Sequence, residues 1–260
     1  MKKQMYCRLW LFSLSFFILL TACTKEIRPT PAALQKDASI EELIALYQKR
    51  VNETTGFKAL MEVTANLGNR GRHTFQASLH AHNNQRQIRG FDLFGGTLFD
   101  LRLSGRFFSL SIPSERKTLR GKLDQFEALA GEKIPSGLIN LLEWVTRSGL
   151  PEVPFADTPA LQKEQHFFTL YLFSTDGNIG WIRQKLQIER NAFRVQQVDL
   201  FDLSGSRQTM IKLDHYQKVE GRDFPFSVEG HGPGGKIILK FKEVIFDEST
   251  LQKSTSMDRE

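Results

Sequence analysis

The sequence predicts a mainly β fold, a single curved antiparallel sheet of about 11 strands with a leading helix and helices inserted midway. Apolar and polar residues alternate with a period of two through two long blocks of the chain, 57–114 and 166–246. Short polar or Gly-rich turns separate the alternating segments. Between the blocks, residues 122–147 change to a helical period. Many strands at regular spacing are typical of a curved sheet or a barrel.

The first block begins with a helix and continues as a meander. Ser39 and Glu42 form a capping-box pattern at the start of SIEELIALYQKR. One stripe of this helix is apolar: Ile40, Leu43, Ile44 and Tyr47. Five alternating segments follow and predict five strands: 57–67, 73–82, 86–94, 97–105 and 106–114.

The second block contains the inserted helices and the remaining strands. Two helices are predicted at 122–131 and 136–149, around the turn GEKIPSG. The second helix carries an apolar stripe: Leu138, Leu141, Leu142 and Val145. Six further strands are predicted: 166–174, 180–190, 193–204, 207–217, 224–232 and 235–246. The sequence shows neither an internal repeat nor a second domain.

The N-terminus predicts an exported, lipid-anchored protein. Positive charges precede a 12-residue apolar run at Leu9–Leu20, which suits a signal peptide better than a membrane span. The run ends in LTAC, which resembles the bacterial lipobox and implies cleavage before Cys23. The alternative is an ordinary secretory signal with a chance cysteine. The expected organisation is a signal peptide (1–22), a lipidated tether (23–38), one domain (39–246) and a loose tail (247–260).

The lipobox resemblance also implies the anchor and the compartment. Cys23 would carry a diacylglycerol on its thiol and an acyl chain on its new amine. Stable anchoring needs more than one acyl chain, and this modification supplies enough. Because Thr24 rather than Asp follows the cysteine, the bacterial sorting scheme favours the outer membrane, with the domain facing the periplasm. No other cofactor is expected.

Charge and cysteine content exclude several classes of function. Loss of residues 1–22 lowers the formal net charge from +6 to +3, which does not indicate a nucleic-acid partner. Cys7 leaves with the signal peptide and Cys23 is acylated, so neither a disulfide within the mature chain nor cysteine catalysis is expected. The protein is expected to be monomeric.

Candidate catalytic and metal-binding residues are few. His80 and His82 share a strand face, but no third metal ligand is evident. The loop GHGPGG at 230–235 lacks the following Lys-Ser/Thr of a phosphate-binding loop and predicts a hairpin turn. Asp199 and Asp202 are three residues apart and would face opposite sides of a strand. We therefore predict no catalytic residues, no metal site and no enzymatic activity.

The stretch FDLFGGTLFDL, residues 91–101, predicts a β-hairpin with Gly95-Gly96 as a two-residue turn. This turn sets Leu93 opposite Leu98 and Ile88 opposite Leu103. One face is then apolar throughout and is expected in the core: Ile88, Phe94, Phe99, Leu101 and Leu103. The other face is polar away from the turn: Gln87, Arg89, Asp100 and Arg102. Near the turn that polar face becomes apolar: Phe91, Leu93 and Leu98.

An apolar tip on a solvent face indicates contact with another apolar surface, and a membrane is the interpretation favoured here. One alternative is that another loop of the protein covers the tip. Another is that the pairing slips by one residue, which would exchange the two faces of the hairpin.

The lipobox, the antiparallel sheet, the inserted helices and the apolar hairpin together resemble the LolA/LolB lipoprotein-trafficking family, most closely its LolB branch of outer-membrane lipoprotein acceptors. Phe94 and Gly95 match the last two residues of the family's Pro-Leu-Gly segment, while Leu93 stands where the family has Pro. A second stretch, 131–151, matches a helix region of the family in residue type: Ile134, Pro135, Leu138, Leu142, Trp144 and Pro151. The similarity in layout covers 39–246, although the strands after 166 match by pattern only.

The resemblance implies an unclosed half-barrel whose inserted helices cover an apolar cavity for lipoprotein acyl chains. A LolA-like periplasmic carrier would hand over the acyl chains, and the tip would help to move them into membrane lipid: Phe94, Leu93, Phe91 and Leu98. Six residues are candidates to line the cavity: Phe99, Leu101, Leu138, Leu142, Trp144 and Trp181. The alternative for these six is an ordinary solid core.

Two rival functions stay open at this point. One is a lipoprotein on the same fold that binds a lipid or glycolipid, or that scaffolds envelope assembly, without transferring lipoproteins. The other is a lipid-processing enzyme, which would need a polar catalytic cluster inside the cavity.

Overall fold

A computed structural model describes most of the predicted domain. The described residues are 36–53, 56–67, 71–82, 85–130, 141–142, 159–176 and 179–247. The predicted signal peptide, Cys23, most of the tether and most of the second inserted helix lie outside them, as does nearly all of the tail. None of the helices in the described ranges is long and apolar enough to cross a membrane.

The described chain begins with one helix and continues almost entirely as strands. Helix α1 is Ile40–Glu53, and the short helix α2 is Phe126–Ala130. The strands before α2 are β1 Gly56–Asn66, β2 Arg72–His82, β3 Gln85–Phe91, β4 Thr97–Ser104, β5 Phe107–Ile112 and β6 Lys117–Lys122. The strands after it are β7 Ala160–Lys163, β8 Phe167–Asp176, β9 Ile179–Glu189, β10 Val195–Phe201, β11 Arg207–Val219, β12 Arg222–Gly232 and β13 Gly235–Phe246. Two 3-10 turns, Pro113–Glu115 and Leu123–Gln125, flank β6.

All of these strands belong to one antiparallel sheet. Its order is β6-β5-β4-β3-β2-β1-β13-β12-β11-β10-β9-β8-β7. The first and last of these strands in the sequence, β1 and β13, therefore pair with each other in the middle of the sheet. Within the described residues β6 and β7 each have a single neighbour, and the sheet does not close into a barrel. The predicted fold class, an unclosed half-barrel of antiparallel strands, is confirmed.

The sheet has 13 strands rather than the predicted 11, and both missed strands lie at its margins. Strand β6, KTLRGK, alternates weakly and is mostly exposed, and β7 is only four residues long. Short or cation-rich margin strands are a common protection against pairing with other chains. Such strands lack the alternation of buried and exposed residues from which strands are predicted. The sequence therefore does not indicate β6, and its last residue, Lys122, falls in the predicted helix at 122–131. The predicted helix at 122–131 is instead a 3-10 turn followed by α2.

Helix α1 confirms the predicted leading helix and its cap. The Ser39 amide donates to the Glu42 carboxylate at 2.8 Å, and the Glu42 amide donates to the Ser39 hydroxyl at 3.2 Å. Leu43 and Tyr47 are buried. The Tyr47 hydroxyl donates to the carbonyl of Phe193 at 3.4 Å, which attaches the helix to the turn between β9 and β10.

Alternation along the strands gives the sheet one buried face. Strand β1 shows it clearly, since every second side chain is buried: Phe57, Ala59, Met61, Val63 and Ala65. A group of phenylalanines fills this face where β1, β12 and β13 meet: Phe57, Phe224, Phe241 and Phe246. The core of the domain therefore lies on a single side of the sheet.

Strand direction sorts the turns into two groups. We call the upper end of the sheet the one that carries the β3–β4, β5–β6, β10–β11 and β12–β13 turns. The lower end carries the β4–β5, β9–β10 and β11–β12 turns. This division follows from the antiparallel order. The predicted apolar hairpin lies at the upper end, while Phe224 and the α1 contact at Phe193 lie at the lower end.

A short part of the inserted region packs on the buried face. Leu141 and Leu142 are helical and buried, as predicted for the second inserted helix. A methyl group added at Gly230 in β12 would lie 2.6 Å from Cδ2 and 2.9 Å from Cγ of Leu141. The absence of a side chain at Gly230 therefore lets this helical segment approach the sheet closely.

Gly230→Ala is expected to destabilise the protein because Leu141 is buried and has little room to move. Overpacking of this kind costs about 1–3 kcal/mol, measured as the free energy of unfolding in urea. When Gly230→Ala is combined with Leu141→Ala, the total loss should be smaller than the sum of the two single losses, because the smaller side chain relieves the overlap. Gly234→Ala is the matched control, because nothing lies within 4 Å of the added methyl group. Strictly additive effects of the Gly230 and Leu141 substitutions would contradict this contact.

Candidate functional site: the apolar β3–β4 hairpin

The β3–β4 turn is longer than the predicted two-residue turn. The Asp92 amide donates to the carbonyl of Gly96 at 2.9 Å, and the Gly95 amide donates to the carbonyl of Asp92 at 3.2 Å. These bonds close a five-residue loop. Ile88 therefore pairs with Leu101, and not with Leu103 as predicted. The register also shifts between Gly90 and Phe91, which marks a bulge at the base of the loop.

The side chain of Asp92 holds this loop in shape. Its Oδ1 accepts hydrogen bonds from the amides of Phe94 and Gly96, both at 2.8 Å. Gly95 has a φ of +81°, a conformation that favours glycine. A methyl group at Gly96 would lie 2.6 Å from Oδ2 of Asp92. The aspartate and the two glycines thus serve the turn, whereas Leu93 and Phe94 form none of its side-chain contacts.

The tip of the hairpin is exposed and apolar. Leu93 is 93% exposed and Phe94 97% exposed. Among the described residues, none covers Leu93 or Phe94. Within those residues, the alternative that another loop covers the tip is therefore excluded. The assignment of Phe94 to the core face was wrong, because the longer loop carries it out of the strand pattern. Leu98 is exposed and Phe91 is partly buried at the base of the loop.

The hairpin stands on a well-packed base. The ring of Phe99 lies over Gly90, where an added methyl group would come within 2.4 Å of the ring. Phe99 also meets Phe75 edge-on, with ring centroids 5.6 Å apart. Ile88 and Leu101 are fully buried. The exposed tip is therefore held by a rigid scaffold.

The outer face of the hairpin is polar, as predicted, and Asp100 is its centre. Gln87 Nε2 donates to both carboxylate oxygens of Asp100 at 2.9 Å, and Arg89 donates to Oδ2 at 3.1 Å. Arg102 lies 3.5 Å away. Partial burial would raise the pKa of Asp100, but the hydrogen bonds from Gln87 and Arg89 and the nearby arginine charges outweigh it. The pKa is held below its usual value, and Asp100 stays ionised at neutral pH.

The residues predicted to line a cavity are only partly within the described ranges. Phe99, Leu101 and Leu142 are buried on the core face. Trp181 is partly buried and pairs with Ser174. Ser174 follows the buried Leu172 by two residues, so it lies on the same side of β8. Leu138 and Trp144 lie outside the described residues. Whether any of these side chains contacts an acyl chain stays a prediction.

The other candidates from the sequence occupy separate places. His80 and His82 each lie 3.8 Å from the Asp247 carboxylate at the lower end. In the part of the chain that the structure describes, no group of three His, Cys, Asp or Glu side chains is arranged to hold a metal ion. Asp199 is buried, whereas the Asp202 carboxylate bonds within its own turn. The hairpin turn predicted within 230–235 is present between β12 and β13, and it consists of Pro233 and Gly234.

Among the exposed apolar side chains that the sequence analysis did not single out, one lies on a turn at the upper end of the sheet. Leu203, in the β10–β11 turn, is 73% exposed. Its signal was present in the chain, because FDLSG at 201–205 repeats FDLFG at 91–95 in all but one position.

Comparison with solved structures identifies the fold. A LolA superfamily protein from Nitrosomonas europaea is similar with a TM-score of 0.53 at 11% identity, over 79% of this chain and 93% of the other. An outer membrane lipoprotein-sorting protein domain from Vibrio parahaemolyticus gives a TM-score of 0.56 at 14% identity, over 82% and 96%. A DUF1329 family protein from Desulfovibrio piger gives 0.50 at 10% identity, over 82% and 95%.

Sequence comparison adds no closer relationship. No protein-family model and no curated protein sequence matches the chain. The structural similarity alone assigns the fold: the chain has the fold of LolA-superfamily proteins.

Proposed function

We propose that this protein is an outer-membrane lipoprotein that accepts other lipoproteins from a LolA-like periplasmic carrier and inserts their acyl chains into the membrane. The observation that carries the proposal is the rigid, fully exposed pair Leu93 and Phe94 at the tip of the β3–β4 hairpin. The fold is consistent with this role. No catalytic group and no cofactor is needed beyond the lipid expected on Cys23.

The tip has the properties of a membrane-contact element. Moving a Leu or Phe side chain from water into an apolar phase gains about 1.5–3 kcal/mol. An aromatic ring is also well suited to the headgroup region of a bilayer. Because the Asp92 carboxylate already fixes the loop, little conformational entropy is lost on insertion. The pair can therefore enter the lipid surface without distortion of the sheet behind it.

The sheet suits the other half of the task, which is to keep acyl chains out of water. Each methylene group exposed to water costs about 0.8 kcal/mol, so a free lipoprotein acyl chain is strongly disfavoured in the periplasm. In this proposal the unclosed sheet uses its apolar face to receive such a chain from a carrier of the same architecture, and the side chains that now fill that face would have to make room for it. We propose that the chain passes from carrier to this face and then to the membrane along the tip.

The proposal is tested by following a labelled lipoprotein through both steps. The mature chain with Cys23→Ala is mixed with a carrier loaded with that lipoprotein, and phospholipid vesicles are then added. We expect the lipoprotein to move first to this protein and then to the vesicles. If the carrier keeps its cargo, the proposal is wrong, and a lipoprotein that binds another lipid or scaffolds the envelope becomes the better interpretation.

A further inference from the structure

The β3–β4 hairpin has a counterpart in the second half of the sheet. Residues 201–205 repeat 91–95 in sequence, with Ser204 in place of Phe94 as the single difference. The prediction that the sequence contains no internal repeat is therefore wrong for this short motif. The two copies lie in the turns of β3–β4 and β10–β11.

The two loops are built by the same hydrogen bonds. The Asp202 amide donates to the carbonyl of Ser206 at 3.0 Å, and the Gly205 amide donates to the carbonyl of Asp202 at 3.0 Å. Asp202 Oδ1 accepts from the amides of Ser204 and Ser206 at 2.9 Å. Gly205 has a φ of +78°. Each of these features matches the corresponding one at Asp92–Gly96.

Both loops also leave the sheet in the same way and at the same end. A register shift precedes each, between Gly90 and Phe91 and between Leu200 and Phe201. The antiparallel order places both turns at the upper end, with β2, β1, β13 and β12 between the two hairpins. Five strand spacings of 4.7–4.9 Å separate β3 from β11, which is about 24 Å along the sheet.

The turn itself does not require leucine at its second position. Its bonds use the aspartate carboxylate, backbone groups and the glycine, so a polar residue would serve equally well at 203. Leu203 is nevertheless 73% exposed, next to Ser204, whose hydroxyl donates to Asp202 at 2.6 Å. A single exposed leucine is unremarkable on a protein surface. The same leucine on the same turn, twice at one end, indicates a shared contact.

Positive side chains accompany the second loop. Arg207 follows it directly and is 54% exposed, with its guanidinium 3.4 Å from the buried Asp199 carboxylate. Other exposed cations begin or follow turns at the same end of the sheet: Arg72, Arg116 and Lys117. An apolar side chain with a cation beside it, and with further cations along the same end of the sheet, is an arrangement that suits the interface of an anionic lipid surface.

We propose that the Asp202–Ser206 loop is a second membrane-contact site, in which Leu203 enters the lipid interface and Arg207 meets lipid phosphates. The proposal rests on the proposed function, since it assumes that the upper end faces the membrane. One contact would leave the domain free to swivel about the β3–β4 tip. Two contacts about 24 Å apart along the sheet remove this swivel and leave only tilting about the line that joins them.

The test measures binding of the mature Cys23→Ala chain to vesicles of phosphatidylethanolamine and phosphatidylglycerol by co-sedimentation. Leu203→Ser is expected to weaken binding about tenfold, from the lost burial of one leucine side chain. Arg207→Gln should weaken binding to these anionic vesicles more than binding to zwitterionic vesicles of phosphatidylcholine. Phe107→Ser is the matched control, because Phe107 is 61% exposed at the lower end. Leu203→Ser and Phe107→Ser should keep the melting temperature of the parent, because both side chains are exposed.

Acceptance of cargo from the carrier is measured in parallel to separate the two proposals. If Leu203→Ser binds vesicles as tightly as the parent, or no more weakly than Phe107→Ser, the second contact site is refuted. If Leu203→Ser impairs only the step from the carrier, the loop contacts the carrier, and the proposal is again wrong. If vesicle binding depends on Leu203 but the parent accepts no cargo, the second contact stands and the proposed function fails.

Discussion

Phe94→Glu is expected to accept a lipoprotein from the carrier and to fail to deliver it to vesicles. The side chain is 97% exposed, so the free energy of unfolding should change by no more than about 0.5 kcal/mol. At the membrane the same substitution replaces an apolar anchor with a charge, and transfer of a carboxylate into an apolar phase is strongly unfavourable. Transfer to the protein and transfer to vesicles are measured separately with the labelled lipoprotein.

Phe107→Glu provides the matched control for this experiment. It places the same charge on an exposed phenylalanine at the lower end of the sheet, and both transfer steps should remain normal. A large fall in the melting temperature of Phe94→Glu would show that the tip is needed for folding. Normal delivery by a folded Phe94→Glu protein would exclude the tip from membrane insertion.

The central strands were predictable because burial on one face imposes a strict period of two. Phe57, Met61 and Val63 in β1 are fully buried and spaced accordingly. The two margin strands were not predictable in this way, since β6 and β7 bury little and, within the described ranges, each pairs on one side only. The period of two appears only where one face of a strand is buried and the other is exposed. A strand that buries little therefore lacks it, even when it pairs with a neighbour.

The position of the tip was predicted, but its register was not. Gly95-Gly96 is a strong signal for a two-residue turn. That signal was outweighed by the Asp92 carboxylate, which satisfies two amides of a longer loop and moves Phe94 out of the core pattern. Side-chain bonds to the backbone of this kind compete with strand pairing. The sequence shows the aspartate but does not show which backbone amides its carboxylate will bind.

The second loop shows a different limit of sequence interpretation. The repeated motif was visible, but Asp202 was considered only as a possible catalytic carboxylate. Its role follows from its bonds to Ser204 and Ser206, which lower its pKa and tie it to the turn. That both motifs lie at one end follows from the order of all 13 strands, which no local pattern contains.

Under the proposed function, the two ends of the sheet have different tasks. The upper end exposes Leu93, Phe94 and Leu203 on turns that are rigid without them. The lower end is closed by buried aromatic rings and by the contact between α1 and the β9–β10 turn. Stability and membrane contact should accordingly be separable by substitution.

Phe224→Ala is expected to cause the largest loss of stability among these variants. The ring is 2% exposed, and its centroid lies 5.1 Å from that of Phe241 and 5.4 Å from that of Phe57, both edge-on. Removing a buried phenylalanine typically costs 3–5 kcal/mol, which corresponds to a fall of about 10 °C in melting temperature for a domain of this size. Thermal unfolding followed by circular dichroism measures it.

Phe107→Ala tests whether burial or mere loss of a phenylalanine is responsible for this effect, and it should leave the melting temperature nearly unchanged. Below its melting temperature, the Phe224→Ala protein should still bind vesicles as the parent does, since Leu93, Phe94 and Leu203 lie at the other end. Vesicle binding that fell together with stability would mean that the two ends are coupled. A melting temperature equal to that of the parent would show that the aromatic group does not hold the half-barrel together.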